Sequence, residues 1–226
     1  MKQIVKLFVV VLLLTLTVHN PTDDWLWRFE FLVQGSVFEP FSQQWLMILY
    51  NFLFSVGLFI LFFSMICKRV SEIFHIRSYV ITRGGEGMFK KVVIEKVFVE
   101  IGKILGVKLS IYLLFFAIMQ DVRVFIFYDL ISTFLTLGMF ALVFVLLKMC
   151  GFSHKMSLFL LISINFIAQF SSFNTPVMSI IVIASIHWQD APVVFLGSKL
   201  LILLSLLGLM FFKSYINHML EVKNHD

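Results

Sequence analysis

Charge is what this chain has least of. Asp, Glu, Lys and Arg make up 14% of its 226 residues, against 60% apolar and 16% aromatic, and the mean hydropathy is +0.99. Soluble domains carry about 25% charged residues, so an ordinary globular domain is excluded and the chain reads as an all-α integral membrane protein. Cysteine is almost missing as well: Cys67 and Cys150 are the two present. That excludes a disulfide framework and leaves packing thiols at the inner ends of spans. Sequence signatures of catalysis are also lacking. Gly84, Gly85 and Gly87 are followed by Met88-Phe89-Lys90-Lys91, which does not build a phosphate-cradling loop, so no nucleotide hydrolysis is expected on this chain. There is no HExxH and there are no adjacent glutamates, and the six histidines are scattered along the chain. No Ser/His or Ser/Lys dyad follows from spacing. The expectation is a protein that is not itself an enzyme and carries no metal or cofactor of its own.

The cations that are present are segregated. Lys68, Arg69, Arg77, Arg83, Lys90, Lys91, Lys96, Lys103 and Lys108 put half of all Lys and Arg into one stretch. Segments this basic between apolar runs stay on the cytoplasmic side. The net charge of +5 is therefore a matter of topology, and nucleic acid is not an expected partner.

Around this stretch the pattern predicts six spans, near 4–19, 45–67, 104–119, 124–147, 156–173 and 193–212, in a single transmembrane domain. Residues 7–18 are uncharged but lack a small-residue cleavage site, so an uncleaved first helix is expected. Residues 20–44 hold Asp23, Asp24, Glu30 and Glu39 against Arg28 alone, and their Trp and Phe residues suit an external interfacial segment. The 45–67 run is free of charge and gives about 34 Å of helix at about 1.5 Å per residue.

The glycines at 84, 85 and 87 predict a break inside the cytoplasmic segment 68–103. Beyond it Met88, Phe89, Val92, Val93, Val97, Ile101 and Leu105 recur at helical spacing, with Lys91/Glu95 and Lys96/Glu100 as i, i+4 pairs. This is expected to be an amphipathic helix on the inner membrane surface, with Lys103 and Lys108 snorkelling. A very short external turn is expected at 120–123. Residues 177–186 form an apolar run too short to cross a bilayer, so 174–192 is expected to be a re-entrant or external hairpin. Both termini then lie in the cytoplasm of a multi-pass plasma-membrane protein, and of all Lys and Arg only Arg28, Arg123 and Lys199 escape the inner side.

Ionisable residues inside spans need a reason. Asp129 and Lys199 both fall roughly 7–9 Å inside the outer boundary, and an ion pair between them is one expectation; separate snorkelling is the other. Asn51 and Ser55, and Asn165 and Gln169, are spaced i, i+4 and face other helices or a pathway. Interhelical hydrogen bonding is the plainer alternative.

The order of parts, and the string Ile76-Arg77-Ser78-Tyr79-Val80-Ile81-Thr82-Arg83-Gly84, resemble the ABC-2 type permease subunits of ABC transporters, in particular small permeases of bacteriocin or peptide-antibiotic export and immunity systems. The resemblance covers the whole chain in layout and this string in sequence. It implies a second permease copy or related permease, and ABC ATPase subunits on separate chains that hold the ATP and Mg. It also implies a cargo that is a hydrophobic or amphipathic peptide, drug or lipid-like molecule. Within 70–83 it implies a coupling helix, with Glu72, Ile76, Arg77, Tyr79 and Arg83 at the ATPase contact. Two rivals stand beside it. One is the substrate-capture subunit of an energy-coupling-factor uptake transporter, although 7–18 lacks the small residues those use for docking. The other is a membrane immunity or interaction protein without transport. The basic stretch by itself would also serve as an anchor on membrane lipids.

Overall fold

An apolar chain with few side-chain partners for its peptide groups must satisfy them within its own backbone. The computed structural model describes residues 2–17, 45–119, 125–171, 175–183 and 192–223, and every regular element among them is helical. We number these α1 (Lys2–Thr17), α2 (Trp45–His75), α3 (Arg77–Met119), α4 (Phe125–Met149), α5 (His154–Ser171) and α6 (Pro192–Lys223), with a 3-10 helix at Pro176–Ile180 between α5 and α6.

The turns are written locally. Gly151 ends α4 at φ 91°, with its N–H on the Lys148 carbonyl and that of Phe152 on the Leu147 carbonyl, the paired bonds of a glycine-terminated helix. Ser153 then starts α5 by accepting the Met156 N–H on its hydroxyl at 3.2 Å. This tight turn folds α5 back so that His154 Nδ1 meets Ser71 Oγ of α2 at 2.6 Å. The predicted glycine break is present: α3 is interrupted at Gly85, whose φ of 74° and ψ of 175° belong to no helix.

The stripe of α3 is fully buried. Phe89, Val93, Val97, Ile101 and Ile104 join Phe62, Phe63, Ile66 and Val70 of α2 and Leu137, Ala141 and Phe144 of α4 in one core. Aromatic rings knit the seam, with Phe59 and Phe140 at 4.9 Å and Phe144 and His154 at 5.5 Å between centroids. The expected helix on the membrane surface is thus corrected: neighbouring helices cover its apolar side. Its expected charge pairs change too. Glu100 bonds Lys103 at 2.6 Å and Arg69 at 3.3 Å, and among the described residues no ion pair joins Lys96 to Glu100 or Lys91 to Glu95.

The expected all-helical class is present, but among the described residues length and composition support two membrane-crossing helices and not six. Two helices, Phe127–Met149 (23 residues) and Pro192–Phe212 (21 residues), are on their own long and apolar enough to cross a membrane. They coincide with the segments expected as the fourth and sixth spans. The first mostly fills the bundle and the second mostly faces outward. Helix α1 offers a shorter apolar stretch, Ile4–Leu13. The 104–119 part of α3 contains Lys108, and α5 opens with His154 and Lys155 and carries Asn165 and Gln169, so neither is an unbroken apolar run. The 45–67 run lies within α2, part of whose side chains fall outside the described residues. Outside them too lie the acidic 20–44 segment, the 120–123 turn and the 184–191 part of the hairpin. What is described of the hairpin packs into the bundle, with Ser179 and Val182 fully buried.

Candidate functional site

Helix α4 carries Asp129, Ser132, Thr133 and Thr136 at i, i+3, i+4 and i+7, so all four share one face. Each is buried, and the face meets Lys108 and Tyr112, spaced i, i+4 on α3, and Lys199 of α6. Lys108 Nζ lies 2.6 Å from Asp129 Oδ2 and 2.8 Å from Thr133 Oγ1. The Tyr112 hydroxyl donates to the same Asp129 oxygen. On the other side, Lys199 Nζ donates to Ser132 Oγ at 2.5 Å, Thr136 Oγ1 at 2.9 Å and the Val182 carbonyl at 2.5 Å. Ser132 in turn donates to the Ile183 carbonyl at 2.5 Å.

The result is one polar cluster joining three helices and the hairpin inside an apolar bundle. Lys108 and Asp129 are each 2% exposed and Lys199 not at all. One ammonium group pairs with the carboxylate, and hydroxyls and a backbone carbonyl surround the second. Burial of unshielded charge costs several kcal/mol per ion, which explains why every cation here has close oxygen partners. One carboxylate oxygen remains: Asp129 Oδ1 is buried without a hydrogen bond among the described residues. Chemically the cluster can hold a positive charge at depth, accept a donor on that oxygen, and transmit displacement of any one helix to the others.

Asp129 and Lys199 are thus brought to one place, with a correction to their pairing. The short ion pair of Asp129 is with Lys108, which the sequence assigned to snorkelling. Equal depth put the right residues in one layer, but neighbour order decides partners, and α3 supplies the nearer ammonium. Lys108, Tyr112, Ser132, Thr133 and Thr136 were missed; the i, i+3, i+4, i+7 hydroxyl face of α4 was the signal available. Another buried lysine went unread: Lys90 Nζ donates to the Met210 carbonyl of α6 at 2.8 Å, with Glu86 at 3.8 Å.

The other anticipated residues divide into two groups. Asn165 and Gln169 are buried on the bundle face of α5 together with Ser157, Leu161 and Ala168. However, among the described residues neither the Asn165 amide nor Ser55 Oγ has a hydrogen-bond partner, so the expected interhelical bonds are not made there. The Asn51 side chain lies outside the described residues. Glu72 bonds Arg69 at 2.7 Å. Ile76 and Tyr79 are more than half exposed, Arg83 stacks over the Tyr79 ring at 4.3 Å, and Arg77 sits 5.7 Å from the Phe89 ring. No residue from Phe74 to Met88 is buried. Among the described residues no three His, Cys, Asp or Glu gather as a metal site. Comparison of the chain with protein-family models, curated proteins and solved structures gives no match.

Proposed function

We propose that this chain is the membrane-embedded permease subunit of an ABC-2-like transporter. In this reading it moves a hydrophobic or amphipathic peptide, drug or lipid-like molecule, using ATPase subunits on separate chains. One observation carries the reading: the exposed helix that begins at Arg77 is bounded by a turn at Ile76 and by the Gly85 break. The helices on either side of it run straight into the core. A short lever hinged at both ends, with Tyr79 and Ile76 outward and arginines beside them, is the shape by which a soluble partner's closure becomes a tilt of buried helices. The string that resembles ABC-2 permeases falls on this lever.

The remaining topology follows from the same reading. The basic end faces the cytoplasm, all six apolar segments belong to the membrane domain, both termini lie inside, and the 3-10 hairpin is re-entrant. The buried cluster is then the element whose two arrangements distinguish the states of the pathway, since intramembrane ionisable residues mark pathways more often than passive packing.

Replacing 77–83 by a Gly/Ser linker of equal length tests this directly. This replacement spares buried Val70 and Ile73. The variant is expected to insert and fold normally but to lose co-purifying ATPase subunits and their ATP turnover. Retention of both would dismiss the lever as the coupling element, and absence of any ATPase with the intact chain would dismiss the transporter.

A further inference from the structure

A cleft of about 270 Å³ opens between α1, α2 and α3. Leu7 and Val10 of α1 and Leu61 and Met65 of α2 line one part of it, and Lys6, Lys68, Arg69 and Glu100 line the rest. On α2 the change from apolar to basic takes one turn, Met65 to Lys68 and Arg69, about 5 Å of rise. The acidic residue does not oppose an anion here, because Glu100 is already bonded by Lys103 at 2.6 Å and Arg69 at 3.3 Å. Lys6 and Lys68 have no ion-pair partner among the described residues, and both are exposed at the mouth.

We infer that this cleft is a binding site for an anionic membrane phospholipid. Its phosphate lies at Lys6 and Lys68, and one acyl chain runs along Leu7, Val10, Leu61 and Met65. The volume falls just under the range of about 300–1,000 Å³ usual for drug-sized ligands, which suits a single chain rather than a whole amphiphile. Cations at the rim of an apolar slot are the arrangement that recognises anionic headgroups at the inner leaflet. The bound lipid packs α1 against the bundle by its tail while its headgroup bridges α1 to α2. This inference rests on the proposed membrane location but not on transport or on an ATPase.

The experiment uses the full chain reconstituted in nanodiscs of phosphatidylcholine with and without phosphatidylglycerol, followed by delipidation and native mass spectrometry of retained lipid. Wild type is expected to keep one phosphatidylglycerol. Each cation near an anionic surface is worth about fivefold in affinity, so Lys6→Gln with Lys68→Gln is expected to lose roughly thirtyfold. Lys91→Gln with Lys96→Gln removes the same charge from exposed positions on α3 and is expected to retain the lipid. Equal loss in both double variants would reduce the effect to diffuse attraction and overturn the site. Displacement of the lipid by inorganic phosphate at matched concentration would overturn the lipid as occupant in favour of free phosphate. No retained lipid from a chain that folds and inserts would overturn the site while leaving the membrane location intact. Recovery of the chain without detergent would remove both.

Discussion

Asp129 shows how much one buried oxygen pair can be asked to do, since Lys108 and Tyr112 both depend on its charge or its lone pairs. Removing one member of a buried ion pair typically costs about 3–5 kcal/mol, whereas replacing both by apolar groups is often neutral. Asp129→Leu and Lys108→Met are therefore each expected to lower stability by about that amount, and the double variant to recover most of it. Thermal unfolding in detergent, read by size-exclusion fluorescence, measures this cycle. Strictly additive losses would show that the two side chains do not share an interaction. His154 makes a second prediction at this scale. Partial burial, then Lys148 and His75, hold its ring below the ordinary imidazole range. The folded protein thus favours the neutral ring, and the unfolded chain takes up the proton first as pH falls. The stability it contributes is complete above about 6.5 and is lost on acidification through the folded value. Unfolding midpoints are expected to drop as pH falls below about 6.5, and His154→Gln to flatten that part of the profile. An unchanged slope in the variant would assign the titration elsewhere.

Between elements, close approach matters as much as polarity. A Cβ on Gly138 of α4 would lie 3.0 Å from Leu203 Cδ1 of α6, the helix that also carries Lys199 to α4 and receives Lys90 from α3. Gly138→Leu overfills this crossing and is expected to destabilise by about 1–3 kcal/mol, visible as a lower unfolding midpoint. Gly85 is different in kind. Nothing crowds its Cα, but its φ of 74° with ψ of 175° is open to essentially glycine alone. Gly85→Ala is expected to leave the core and its unfolding midpoint nearly intact while re-aiming the 77–84 helix, so ATPase stimulation falls without loss of folding. Wild-type stimulation in that variant would show the hinge angle to be immaterial. The hinge was legible in the sequence because three glycines stand in four positions, and so was the buried stripe of α3, because Phe89, Val93, Val97 and Ile101 keep helical period. Periodicity states that a face is covered but not by what, so the same stripe was assigned to lipid when α2 and α4 cover it. The limits of α4 were legible to within a few residues because charge flanks it, and so was the start of α6, but α6 runs past the expected end at 212, through Lys213, to Lys223. The partner of Asp129 was not, because depth along a helix is encoded locally while the order of helices around a bundle is not. The unsatisfied Asn165 was legible only as bundle-facing, for the same reason.

For the molecule as a whole, the decisive quantity is which side the basic end faces, because lever, lipid cleft and buried cluster are all placed relative to it. That end is one contiguous region: Ser71 meets His154, Lys148 lies 5.8 Å from the Phe74 ring, and Lys6 shares a cleft with Lys68. Its sidedness can be read with a thiol already present. Cys150 is exposed in the turn after α4, whereas Cys67 is buried in the core. Excess Lys and Arg hold a loop on the cytoplasmic side, so a membrane-impermeant maleimide is expected to spare Cys150 in intact cells and to label it after permeabilisation. In a Cys150→Ser background, Ser78→Cys on the exposed lever is expected to behave identically, and Cys67 to stay unlabelled in both conditions until the protein is unfolded. Labelling of Cys150 and Ser78→Cys from opposite sides would break the contiguity of the basic end and with it the bundle. Labelling of both from outside intact cells would keep the bundle but invert it, leaving the lever beyond the reach of any cytoplasmic ATPase.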